Sequence, residues 1–119
     1  MRITDDKRKY DIVGVLGDNV CVAILSRMTN PMSVNDVSDA FDIPLSTAYK
    51  YITALRNAGL IVVKECVVRD TGSKYNVFES AVKAVLITFG KKGGVEVDLI
   101  LNADVTEKFM RYWRGLGGV

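Results

Sequence analysis

Residues 33–62 read SVNDVSDAFDIPLSTAYKYITALRNAGLIV. Ser33 stands where a helix N-cap belongs, since its hydroxyl can accept an orphan backbone N–H, and Asp36 in the first turn suits the helix dipole. Val34, Val37, Ala40 and Phe41 recur at helical spacing, so a helix runs to about Phe41. Asp42-Ile43-Pro44 makes a turn, and Pro44 suits a helix start, where its missing N–H is not needed. The next helix spans about 45–58. Ala48, Ile52 and Leu55, at i, i+4 and i+7, form its inward stripe. Gly59 falls where a left-handed C-cap sits.

Composition changes after Gly59. Leu60 to Val68 is rich in Val and Ile and reads as a strand. Asp70-Thr71-Gly72-Ser73 is a turn, and Lys74 to Phe78 is the returning strand. A second hairpin follows: Val82–Phe89 and Val95–Asn102 flank the turn Gly90-Lys91-Lys92-Gly93-Gly94. Val95, Val97, Leu99 and Leu101 alternate with Glu96 and Asp98, as in a half-buried strand. A final helix is expected over about 104–116, with Asp104 and Glu107 at capping-box spacing and Val105, Phe109, Tyr112, Trp113 and Leu116 on one apolar face.

Upstream, Tyr10–Leu16 reads as a short helix or ordered lead-in. Gly17-Asp18 interrupts it, and Asp18 or Asn19 caps a helix over about 19–29 with Val20, Ala23, Ile24 and Met28 on one face. Asn30-Pro31 stops that helix.

The chain has 119 residues, 49% hydrophobic and 25% charged, which suits one globular domain with a modest core. No apolar run is long enough to cross a membrane, and the N-terminus has no secretion-signal pattern, so a cytoplasmic protein is expected. Cys21 and Cys66 are too few for a disulfide framework and are expected to be buried reduced thiols. There is no histidine, which removes His-based acid–base catalysis and His metal ligation. With no nucleotide-binding loop either, we expect no enzyme activity, no catalytic or metal site and no cofactor. Lys91-Lys92 lies among glycines but lacks the Gly-Lys-Ser/Thr of a phosphate-binding loop and reads as a hairpin tip.

Helix, tight turn, helix and hairpin in this order define an α+β fold: a winged helix-turn-helix with an extra C-terminal β-hairpin and a C-terminal helix. We expect a single domain over 1–119, with the winged unit at 10–80 and the hairpin plus a dimerisation helix at 81–119. A fourteen-residue helix is about 21 Å long, and its width suits a major groove about 12 Å across. With Ala48, Ile52 and Leu55 facing inward, helix 45–58 presents Ser46, Thr47, Tyr49, Lys50 and Thr53, a set of hydroxyls, an aromatic ring and a cation suited to phosphates and base edges. Arg69 and Lys74 flank the hairpin turn, where a wing beside the minor groove would carry them. Tyr51 is read equally as a DNA contact or as packing beside the wing. Charge does not support this reading: residues 33–80 hold five basic and six acidic side chains, whereas phosphate neutralisation usually dominates affinity. Lys7, Arg8 and Lys9 are therefore a second candidate source of phosphate contacts.

Residues 14–79 resemble the winged-helix regulators of the ArsR type. The resemblance rests on VLGDNVCVAILSRM (15–28), on 33–62 with LRNAGLIV (55–62) its most typical part, and on RDTGSKYNVF (69–78) as the wing. It implies a homodimeric repressor or activator on palindromic double-stranded DNA, with Ser46, Thr47, Tyr49 and Lys50 where that family contacts bases. The Cys-x-Cys pair of its metal-sensing members is absent. The segment 81–116 is outside the common plan and more nearly resembles the tails of short archaeal winged-helix proteins. Phe109, Tyr112, Trp113 and Leu116 are assigned to the dimer contact. No residue identifies a small-molecule effector. Two alternatives stand beside a sequence-specific regulator: a winged-helix protein-interaction module, which the near-neutral charge of 33–80 favours, and an architectural DNA-binding protein with little sequence preference.

Overall fold

Three of the four described helices begin where a side chain satisfies the first backbone donors. In the computed structural model, which describes residues 1–102, Asp5 caps α1 (Asp6–Leu16) by accepting from the Lys7 N–H. Asp18 caps α2 (Asn19–Arg27) by accepting from Val20 and Cys21. Ser33 and Asp36 form a reciprocal capping box on α3 (Val34–Phe41): the Asp36 N–H donates to Ser33 Oγ at 3.1 Å, and the Ser33 N–H donates to the Asp36 carboxylate at 2.8 Å. This arrangement satisfies two otherwise orphan donors together. The capping residues expected at Ser33 and at Asp18/Asn19 are thus found at Ser33 and Asp18.

The α3 chain end turns sharply. Asp42 adopts a left-handed conformation (φ 51), which Asp tolerates better than most residues. The Ser38 hydroxyl then donates to the Ile43 carbonyl at 2.6 Å and holds the turn closed. α4 (Leu45–Asn57) is the exception to side-chain capping and follows directly from Pro44. It ends with the Leu60 N–H donating to Leu55 O and the Gly59 N–H to Arg56 O. That is the Schellman pattern, with Gly59 at φ 77 and the fully buried Leu55 and Leu60 as its hydrophobic pair.

Strands β2 (Ile61–Val68) and β3 (Lys74–Ser80) form the first hairpin. Met32, between α2 and α3, pairs with Phe78 of β3 through two backbone bonds of 2.8 Å. The order helix, short bridge, two helices and hairpin completes the winged helix-turn-helix. The α+β architecture expected from 33–78 is the one observed.

β3 continues through buried Ala81 into β4 (Val82–Phe89), which pairs with β5 (Val95–Leu101) as the expected second hairpin. The N-terminus supplies an element that local periodicity does not reveal: β1 (Arg2–Ile3) joins β5, giving a three-stranded sheet of order β1-β5-β4. Arg2 pairs with Asp98 at 3.2 Å and Glu96 at 3.3 Å. Helix α1 also begins earlier than the expected Tyr10, directly after its Asp5 cap, and Lys7–Asp11 and Lys9–Asp6 ion pairs lie on its first turns at i,i+4 and i,i+3.

One core serves both parts. Ile12, Ile24, Met28, Val37, Leu55, Leu60 and Ile61 bury the helices and the base of the first hairpin, and Ile3, Val97 and Leu99 continue that core under the second sheet. Ala48, Ile52 and Leu55 are buried, as their spacing requires. Cys21 is buried too, but Cys66 is exposed, which corrects the expectation for it. The β2 register shifts between Val63 and Glu65, and beyond that point the strand leaves the core. Its Val-rich composition signalled strand, not burial. The helix expected over 104–116, with Phe109, Tyr112, Trp113 and Leu116, lies outside the described residues.

Candidate nucleic-acid interface

α4 is held on three sides, by α1, α2 and α3. Its buried stripe fixes which residues are left outward. Ser46, Tyr49, Lys50 and Thr53 are exposed and Thr47 is half-buried. Tyr49 retains 55% of its accessible surface, so its ring is available to a partner and is not core material. A shallow groove of about 420 Å³ runs along this face past Tyr49, Lys50, Thr53 and Asn57. Tyr51, one residue on from Lys50, is half-buried and packs on the core.

The first hairpin leans over the same helix. Between the start of α3, the flank of α4 and the β2–β3 tip lies a cleft of about 730 Å³. Tyr49 and Thr53 line it from α4, and Arg69 and Lys74 from the hairpin. The structure thus brings Tyr49 and Thr53 of α4, expected from helix phase, together with Arg69 and Lys74 of the hairpin, expected from turn position. It does not bring every expected α4 residue there: Ser46, Thr47 and Lys50 are outside the cleft lining.

Three cations, Arg56, Arg69 and Lys74, line this cleft, and none of its described lining residues is a carboxylate. The guanidinium of Arg69 lies 4.5 Å from the Tyr75 ring centroid and is 3.4 Å from the Ser73 hydroxyl. The Arg56 guanidinium lies 5.8 Å from the centroid of Phe78. Stacking of this kind stiffens a long cation without neutralising it. Two acids of the unit are used elsewhere. Asp36 is in the capping box, and Glu79 pairs with Lys64 at 3.3 Å. The charge sum over 33–80 thus coexists with a cleft whose described lining holds three cations and no carboxylate.

Arg56, Tyr75, Asn35 and Asn76 are cleft residues that the sequence pattern did not single out. Arg56 was legible in principle, being one turn beyond Thr53 and four residues after Ile52 on a helix already assigned. Asn35, Tyr75 and Asn76 depend on the hairpin's tilt, which no local pattern encodes.

The N-terminal cations are differently engaged. Lys7 pairs with Asp11 at 3.1 Å, Lys9 with Asp6 at 3.3 Å, and Arg8 donates to the Asn57 carbonyl at the end of α4, also at 3.1 Å. Arg8 thereby ties α1 to the C-terminal end of α4, where a cation favours the helix dipole. Among the described residues there is no cluster of three potential metal ligands, and no helix is long and apolar enough to cross a membrane.

Fold and cleft define a winged helix-turn-helix domain of the kind that binds DNA. In agreement, a model of the IclR helix-turn-helix domain matches residues 22–65, from α2 through the middle of β2. The match supports a DNA-binding transcription regulator. It is to the IclR type, not to the ArsR type that the sequence resembles, and the two likenesses overlap on α2–α4 and the start of β2. No curated protein matches the chain.

Proposed function

We propose that the chain is a sequence-specific transcription regulator that sets α4 in the major groove and uses the β2–β3 hairpin as its wing. The cleft between them, whose described lining holds Arg56, Arg69 and Lys74 and no carboxylate, carries this reading. A phosphodiester backbone running between helix and wing meets Arg69, Lys74 and Arg56, with Thr53 and Tyr49 as hydroxyl donors. Ser46, Thr47, Tyr49 and Lys50 lie toward the leading end of α4, where a helix entering the groove approaches base edges. Cationic side chains supply affinity and the α4 residues supply choice of sequence. The winged unit is assigned to residues 10–80 and the remainder, 81–119, to assembly. A homodimer on a palindromic site would space its half-sites about 34 Å apart.

Selection of bound duplexes from a random pool tests the reading. A recovered consensus is expected, and Tyr49→Ala combined with Lys50→Ala should weaken binding to it by tenfold or more, about 1.4 kcal/mol. If no sequence is enriched and the double variant binds as the parent does, α4 is not a recognition helix.

A further inference from the structure

We propose that β4 pairs, antiparallel, with β4 of a second copy of this chain, about a two-fold axis at Leu86. The inference is independent of DNA binding and makes no use of Phe109, Tyr112, Trp113 and Leu116.

The backbone bonds show which groups β4 leaves open. Among the described residues, β4 is an edge of the β1-β5-β4 sheet. On β5, the Leu99 N–H donates to the Met1 carbonyl at 2.7 Å, toward the β1 side. The facing pair Val85↔Leu99 is therefore a non-bonded pair across β4–β5. Bonding alternates along an antiparallel ladder, so Val85, Ile87 and Phe89 direct their N–H and C=O groups outward, while Leu86 and Thr88 bond to β5. The turn agrees: the Gly90 N–H donates to Gly94 O, placing Phe89↔Val95 in the next non-bonded pair.

Folded chains commonly guard such an edge with charge, proline or shortness. β4 is eight residues long, and from Ala84 to Phe89 it has neither charge nor proline. Leu86 is 56% exposed and Phe89 81%. A row of alternating donors and acceptors flanked by apolar side chains is matched by another strand, not by a small ligand or a lipid.

Register and charge favour a second copy as that strand. Pairing must set outward-bonding residues against each other, odd against odd. Centred on Ile87, the pair would draw Lys83 of one copy toward Lys91 and Lys92 of the other. Centred on Leu86, it sets Val85 against Ile87, Leu86 against Leu86 and Lys83 near the exposed Phe89 ring. No like charges then meet, and β4, which has no acid, faces no cationic row. The product is a six-stranded sheet whose outer face joins both Leu86 side chains to Ala84 and its partner Ile100.

Sedimentation velocity of the full chain tests this. The parent should sediment as a dimer of about 26 kDa, twice 13.1 kDa. Leu86→Lys and Leu86→Glu should each be monomeric with unchanged circular dichroism, and an equimolar mixture should recover the dimer. Phe89→Pro, which removes an outward N–H without touching a β5 bond, should also be monomeric; it decides the matter if the Leu86 variants fail to fold. A monomeric parent overturns the proposal, as does a Leu86→Lys or Phe89→Pro variant that stays dimeric. Loss of the dimer in Trp113→Ala but not in Leu86→Lys would place assembly on the tail instead.

Discussion

The two hairpins are matched in length and used in opposite ways. Each has an eight-residue strand followed by a seven-residue one, and each register shifts near its base, between Val63 and Glu65 in the first and between Val82 and Ala84 in the second. In β2–β3 burial is concentrated at one end: Ile61, Val62, Phe78 and Ser80 are buried, while Lys64, Glu65, Cys66 and Val68 are exposed. In β4–β5 burial is confined to one face, with Val97 and Leu99 inward and Glu96 and Ile100 outward. A hairpin held at its base projects its tip, here over α4. A hairpin held along its face makes a sheet, here extended by β1 and, among the described residues, open at β4.

The largest expected effect breaks the second hairpin's attachment. Leu99 is 1% exposed and belongs to the core that the two parts share. Leu99→Ala should cost about 2–5 kcal/mol, the usual range for deleting a buried leucine side chain. Leu86→Ala, on the exposed face of the paired strand, should cost under about 1 kcal/mol in the monomer's unfolding. Urea unfolding followed by circular dichroism measures both in the Phe89→Pro background, where the β4 pairing is removed. Equal losses would mean that β4–β5 is buried on both faces and that β4 offers no open surface.

A charge exchange between the hairpin tips sharpens the functional contrast. Arg69 and Lys74 flank the first turn and face the cleft, whereas Lys91 and Lys92 occupy the second turn and are exposed. Removing Arg69 and Lys74 together should flatten the dependence of log K on log salt by about 2, near 0.9 for each phosphate no longer neutralised. Removing Lys91 and Lys92 changes net charge equally and should leave the slope within about 0.5 of the parent. Fluorescence anisotropy on a selected duplex over a salt series reads the difference. Equal slopes for the two pairs would show that net charge, not the wing, attracts the DNA.

Most of the fold was legible because its signals are local. The Ser33 cap, the Ala48/Ile52/Leu55 stripe and Gly59 each specify backbone or burial within a few residues. The alternation of Val95, Val97, Leu99 and Leu101 with Glu96 and Asp98 announced a one-sided strand. In IVVKECVV (61–68) no alternation exists, so strand was readable but the point of departure from the core was not. β1 escaped because two residues make no period; it is stabilised by β5, almost a hundred positions away. The cleft was half legible. Tyr49, Thr53, Arg69 and Lys74 follow from helix phase and turn position, but their convergence with Arg56 and Tyr75 depends on the tilt of the hairpin.

The smallest effect concerns that departure point, and the two cysteines report on it. Cys66 lies beyond the register shift and is exposed, and Cys21 is buried on α2. Burial, and secondarily the nearby Asp18 carboxylate, push the Cys21 thiol above its ordinary value of 9.0. A thiol with a raised native pKa holds its proton more tightly folded than unfolded. Its contribution to stability is therefore complete below the ordinary value and is lost as pH rises through the folded one. At neutral pH Cys21 has little thiolate and no access, so a chromogenic disulfide should label one thiol rapidly in the native chain and two in denaturant. The labelled protein should unfold within about 0.5 kcal/mol of the unlabelled one, since the modified side chain lies in water. Two rapid thiols would mean that α2 opens readily. Protection of both would mean that the distal half of β2 is covered, and the first hairpin would then share the second's mode of attachment instead of projecting as a wing.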